Sequence, residues 1–108
     1  MSLTIDLAPE VFDAGMSEEY EGVGLRWAAV DAGSGLIVEW LHSTGPAAAA
    51  GVQLGDELLA VDGRQTRQAA TLDIVSWVRG PAGTWVKLSL RRAGYVFDLN
   101  VQRGRLAY

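Results

Sequence analysis

The chain has no cysteine, one histidine, one lysine and no long apolar run, and each shortage closes off a class of protein. Without cysteine there is neither a disulfide framework nor thiolate chemistry, which leaves cytoplasm and cell envelope equally open as compartments. His42 alone, with no cysteine beside it, gives zinc no ligand set. A Ser-His-Asp triad would have to use that same His42, a surface-loop residue, and no serine carries the flanking glycines of a nucleophile elbow. A single lysine, Lys87, and a net charge of −4 provide no cationic surface for phosphate, which argues against a nucleic-acid partner. The arginines that are present, Arg91-Arg92 and Arg103-x-Arg105, read as solvated strand ends, with docking on another domain as the alternative. No apolar stretch approaches the roughly 20 residues that cross a bilayer, so no membrane insertion is expected. Met1-Ser2-Leu3-Thr4 has neither the basic start nor the apolar stretch of a leader. No cofactor is called for: in Gly22-Val23-Gly24 the third glycine of a dinucleotide fingerprint would fall at Trp27, and no helix follows.

What is present is enough for a fold. At 108 residues, 49% apolar and 20% charged, the chain is a single domain with its own core. A chain of this size buries roughly 60–65% of its unfolded surface. Residues 45–63 carry the densest local signals. Gly45-Pro46 places a fixed φ at a first helical position, where the missing N–H costs nothing. Four alanines make a helical turn, and Gly51 can end it in the left-handed conformation. Leu54-Gly55-Asp56 turns the chain, Glu57–Val61 reads as a short buried strand, and Asp62-Gly63 closes it.

The other elements are read from periodicity. Residues 1–21 show no clear periodicity and read as a linker or a lead-in that docks on the domain, with Ser17-Glu18-Glu19-Tyr20-Glu21 an acidic loop or a single turn. Val23–Val30 and Leu36–Leu41 are strand-like and form a hairpin across the turn cluster 31–35. Arg64–Gln68 is a polar connection. Ala69–Arg79 is the one substantial helix, with Leu72, Val75 and Val78 on its apolar side and Ile74 and Trp77 flanking; Gly80-Pro81 ends it. In 84–92, Val86, Leu88 and Leu90 alternate with Trp85, Lys87 and Ser89, which leaves Trp85 half exposed. Ala93-Gly94 turns into a returning strand that alternates Tyr95, Phe97, Leu99 and Val101 with Val96, Asp98 and Asn100.

Gly22-Val23-Gly24-Leu25 is the one constellation with a chemical use in view. A glycine-flanked turn at a strand start can aim consecutive N–H groups into a concavity that holds an anion; the plain alternative is a turn before a strand.

The segment from Gly45-Pro46-Ala47 to Gly63 resembles the middle of a PDZ domain, and the likeness runs from Gly22-Val23-Gly24-Leu25 to Arg79-Gly80-Pro81-Ala82-Gly83, over about residues 20–105. The Arg-Gly-Pro-x-Gly stretch before a Val-x-Leu-x-Leu strand is most similar to PDZ domains of bacterial C-terminal processing serine proteases. A hairpin after the final helix, with nothing strand-like before Gly22, is the circularly permuted arrangement of bacterial PDZ domains. The resemblance implies a mainly β fold with two helices, a PDZ-like partial antiparallel β-barrel, with residues 1–20 a lead-in, 21–105 the domain and 106–108 a tail. It implies that the backbone N–H groups of Val23, Gly24 and Leu25 hold a ligand's terminal carboxylate. The peptide then adds as a strand beside Leu25–Ala29, in a groove formed by Leu25, Trp27, Thr71, Val75 and Val78. Thr71 faces the ligand's third residue from its end, and Val75 and Val78 receive the last side chain; the plain alternative is that both valines are core.

On this reading the chain is not itself an enzyme. Its partners are apolar C-terminal tails or unfolded segments and the catalytic domain of a parent protease, exported to the cell envelope, of which the chain is an excised piece. That parent family uses a Ser-Lys pair; Lys87 and Ser89 share a strand face, but no motif of its catalytic domain is present. The acids Glu18, Glu19 and Glu21 beside the loop weaken its hold on an anionic peptide end at low salt. Two alternatives stay open. One is a docking domain whose groove is empty or self-occupied, packed on a catalytic core through Trp85, the 93–94 hairpin and the acidic lead-in, which gains if residues 1–20 or a neighbouring chain lie in the groove as a strand. The other is the PDZ domain of a glycyl aminopeptidase, which Gly24-Leu25-Arg26 and Asp56-Glu57-Leu58-Leu59-Ala60 also resemble.

Overall fold

In the computed structural model, the structure describes residues 3–6, 19–29, 36–67 and 69–107. Five of its strands form the backbone of one antiparallel sheet: β3 (Leu25–Ala29), β4 (Leu36–Leu41), β5 (Glu57–Val61), β7 (Trp85–Arg92) and β8 (Tyr95–Gln102). β1 (Leu3–Asp6) pairs with β3 at one end, and the two-residue β6 (Arg64–Gln65) pairs with β5. A second, two-stranded sheet joins β2 (Glu19–Gly22) to β9 (Gly104–Ala107). With α1 (Pro46–Ala50) and α2 (Thr71–Val78), the fold is mainly β with two helices. The sheet is open, with β1 and β8 at its ends, and not a closed barrel.

Local chemistry explains most of these elements. α1 starts at Pro46 after an extended Gly45, and Gly51 (φ 107°) ends it by donating its N–H to the Ala48 carbonyl. Asp62-Gly63 (φ 49° and 80°) and Ala93-Gly94 (φ 49° and 85°) are turns with two left-handed residues, the conformation that suits the twist of two-residue hairpins. β7 buries Val86, Leu88 and Leu90 and leaves Trp85 60% exposed. The hydrophobic core gathers Val23, Leu25 and Trp27, Val38, Leu58 and Val61, Ile74 and Val78 with these β7 side chains and Val101.

The lead-in contributes strands: β1 pairs with β3, and β2, which begins at Glu19 and runs to Gly22, pairs with β9. Several other expectations are corrected. At the other end Leu106 is buried, and a Cβ on Gly24 or Gly45 would meet its methyl groups at 3.3 Å. α2 starts two residues later than its apolar period suggests, because Ala69 is held in a turn by the Thr66 carbonyl and Ala70 is extended. Leu72 is 81% exposed, and the buried edge of α2 is Ile74 and Val78 with Val75 half-buried. The chain 64–68 is not all connection: β6 follows the Asp62-Gly63 turn, and Thr66 is buried where its hydroxyl donates to the Leu58 and Leu59 carbonyls at an irregularity in β5. The link 31–35 lies outside the described residues.

The arginines are not all solvated strand ends. Arg92 grips buried Asp56 through two hydrogen bonds of 2.7 Å and also donates to the Gly51 carbonyl. Arg91 is exposed but pairs with Glu57, its register partner on β5. Arg103 is 9% exposed; only Arg105 is open to solvent in the way expected.

Candidate functional site: the cleft between β3 and α2

The glycine loop is held by its carbonyls. The Ala47 N–H at the start of α1 donates to the Val23 carbonyl, and the His42 N–H just past β4 donates to the Gly24 carbonyl, both at 2.9 Å. A trans peptide unit sets its N–H opposite its C=O. The Gly24 and Leu25 N–H groups are therefore turned away from α1 and from β4. For Leu25 that direction is the far edge of β3, where a partner strand lies. Gly24 has φ 75°, and a Cβ there would stand 3.0 Å from the His42 Cβ, so conformation and space both require glycine. His42 itself is half-buried, accepts from the Thr44 N–H and stands edge-on to Trp40.

β3 then divides its side chains between two faces. Arg26 faces outward over the ring of Trp40, its register partner on β4, at 4.9 Å. Leu25 and Trp27 face inward and join Ile74 and Val78 of α2 in the core, with Val75 packed against them. Of the residues assigned to the groove by resemblance, Leu25, Trp27, Val75 and Val78 are thus brought together. Trp27 and Val78 have no exposed surface and form floor rather than open wall. The Trp27 indole N–H is buried there without a hydrogen-bond partner. Thr71 is the first residue of α2; its side chain lies outside those described.

The cleft is occupied by the chain itself. β1 runs antiparallel along β3, with Leu3 opposite Ala29, Thr4 opposite Ala28, Ile5 opposite Trp27 and Asp6 opposite Arg26. It also touches α2. Its C-terminal end points toward the Gly22–Leu25 loop, the direction a peptide would take with its carboxylate on that loop. Leu3-Thr4-Ile5-Asp6 alternates apolar and polar residues, a strand signal too short to stand out over four positions.

The wall opposite β3 depends on a residue that composition did not mark. Arg103 donates to the Val78 carbonyl at 2.8 Å and the Trp77 carbonyl at 3.0 Å, and on its other side to the Thr84 hydroxyl and the Trp85 carbonyl. It satisfies the open carbonyls at the end of α2 and ties that helix to the start of β7. A Cβ on Gly80 would lie 2.8 Å from the guanidinium, which explains the glycine of the Arg-Gly-Pro stretch. Among the described residues no cluster of His, Cys, Asp or Glu could hold a metal ion, and no helix is long and apolar enough to cross a membrane.

Comparison with known proteins identifies the fold family. A family model described as a PDZ domain matches residues 37–92. The chain is 36% identical over 93 residues to the carboxy-terminal processing protease CtpA of Bacillus subtilis, covering 85% of this chain and 20% of that protein. It is 32% identical over 102 residues to the chloroplastic carboxyl-terminal-processing peptidase 1 of Arabidopsis thaliana, covering 90% and 21%. The chain thus spans about a fifth of the length of the curated relatives it matches. The fold superposes on the PDZ domain of a carboxy-terminal protease from Vibrio cholerae in complex with peptide, with a TM-score of 0.72 at 23% identity over 83% of this chain and 99% of that one. A photosystem II D1 C-terminal processing protease matches at a TM-score of 0.67 and 30% identity, over 80% of this chain and 23% of that one. By fold and sequence together, the chain belongs to the PDZ-domain family, and C-terminal processing proteases are among the relatives it resembles.

Proposed function

We propose that this PDZ domain captures extended polypeptide, an apolar C-terminal tail or an unfolded segment, in the cleft between β3 and α2, and serves as the substrate-recognition domain of a C-terminal processing serine protease whose catalytic residues lie elsewhere. The observation that carries the reading is the edge of β3 that faces away from β4: here it pairs with β1, the end strand of the sheet, and a peptide can form the same backbone ladder. The carboxylate would sit on the N–H groups of Val23, Gly24 and Leu25. The last side chain would meet Leu25, Val75 and Val78, with Trp27 beneath and Thr71 at the third residue from the end. Burying one apolar side chain contributes about 1.5–3 kcal/mol, so an apolar last residue is preferred. Binding in such a groove can bias the hinge between this domain and a catalytic domain, and the envelope is the compartment such a protease would work in. Titration of isotopically labelled protein with an apolar-ended peptide, as free acid and as amide, tests it. Shifts at Gly22–Leu25 and along 71–78 with the acid alone are expected; equal affinity for the amide would remove the carboxylate role.

The second reading is a docking domain with its groove filled from within, and the position of β1 favours it. Exposed Trp85 and the Ala93-Gly94 hairpin would then be the surface turned to the catalytic domain. In that case neither form of the peptide shifts the groove, and the catalytic domain, supplied in trans, perturbs Trp85 instead.

A further inference from the structure

We propose that β1 is a resident competitor for the groove: the domain holds Leu3–Asp6 where a ligand goes, and a ligand enters only as β1 leaves. The inference rests on the peptide-binding reading. Three features carry it. β1 lies on the outer edge of β3, the edge toward which the loop's own hydrogen bonds turn the Leu25 N–H. Its polarity, with Asp6 at the loop end and Leu3 at the far end, is that of a peptide whose terminus sits on the loop, so the two cannot share the edge. Its backbone lies near α2 as well as beside β3. β1 is also removable at small cost to the rest of the domain. Among the described residues it has a single strand neighbour, β3.

A strand tethered to the domain competes intramolecularly, at an effective concentration set by its link. The apparent affinity for a ligand falls by the fraction of molecules in which the groove is open. Capture is therefore weak until something else takes up β1, and anything that binds or restrains the N-terminal segment raises affinity at the groove.

The test uses the whole chain and a synthetic peptide copying residues 1–7, Met-Ser-Leu-Thr-Ile-Asp-Leu, as free acid. In Thr4→Pro/Ile5→Pro, β1 cannot form its ladder. In Thr4→Cys/Ala28→Cys, an otherwise cysteine-free chain gains two opposed cysteines. Their Cα atoms stand about 4.5–5.5 Å apart in an antiparallel pair, within the about 4.4–6.8 Å a disulfide accepts. The proline variant is expected to bind the peptide at least about tenfold more tightly than the unaltered chain. The oxidised cysteine pair is expected not to bind, and reduction to restore binding. If the oxidised and reduced forms bind equally, or the disulfide does not form, β1 is no competitor although the groove can still work. If no form binds, the groove reading falls and the competitor with it. Should the proline variant fail to fold, the oxidised-against-reduced comparison decides alone.

Discussion

Two arginines show how position, not residue type, sets the role of a charge. Arg103 spends its donors on three carbonyls and one hydroxyl, nearly out of solvent. Arg103→Met keeps the apolar stem and strands those acceptors, each costing about 1–3 kcal/mol when buried. The expected loss is about 3 kcal/mol, a fall in Tm of roughly 12 °C or more, read by calorimetry. Arg92 is different, with about a third of its side chain in solvent (35%) against 1% for Asp56. Its hydrogen bonds to Asp56 raise the guanidinium's pKa above its ordinary value. On the alkaline side, a cation with a raised pKa loses its contribution only in strong alkali. The asymmetry in burial decides the mutational order. Arg92→Leu leaves a buried carboxylate with the Gln53 N–H as its remaining partner, whereas Asp56→Asn leaves a charge that water can reach. Urea midpoints should therefore fall further for Arg92→Leu than for Asp56→Asn; the reverse order would show that the pair is dominated by the arginine's packing over Phe97.

α2 illustrates what an eight-residue element reveals of itself. Leu72, Val75 and Val78 fit one helical face as well as Ile74 and Val78 do, and spacing cannot choose between them. The choice is made by the start of the helix: with Ala69 held in a turn and Ala70 extended, α2 meets the sheet with Ile74 and Val78 down and Leu72 out. Leu72→Ser is expected to change stability by no more than about 0.5 kcal/mol, as for other open surface sites. Ile74→Ala should cost about 2–5 kcal/mol through the cavity it leaves. Equal losses in chemical denaturation would mean that the helix turns its other face to the core. By contrast α1, β5 and the hairpin β7–β8 were legible from residues alone, because proline, glycine and strict alternation each leave one backbone solution.

Across the whole molecule, stability is set by the number of neighbours each strand has. β7 lies between β5 and β8 and turns three fully buried side chains into the core. β1 lies at the end of the sheet with one neighbour. Amide hydrogen exchange should thus be slowest in β7 and fastest, among the paired strands of the large sheet, in β1. Protection of β1 equal to that of β7 would make it a structural strand and close the groove to outside peptides. A local opening at β1, with the rest of the sheet intact, is the motion that peptide capture requires.

The residues by themselves determined the class of fold, the loop at Gly22–Leu25, the helix at Pro46, the strands Leu36–Leu41 and Glu57–Val61, and the final hairpin. These are decided over a few positions by φ preferences and by period-two alternation, which act locally. Tertiary structure alone decided that Leu3–Asp6 lies in the cleft, that Arg103 holds the end of α2 from 25 residues away, and that Leu72 faces water. Each is a pairing between segments distant in the chain, and its energy comes from an edge left unpaired, a carbonyl left open or a face left uncovered elsewhere. No local pattern carries that information, because the partner that supplies it is brought near only when the sheet has formed.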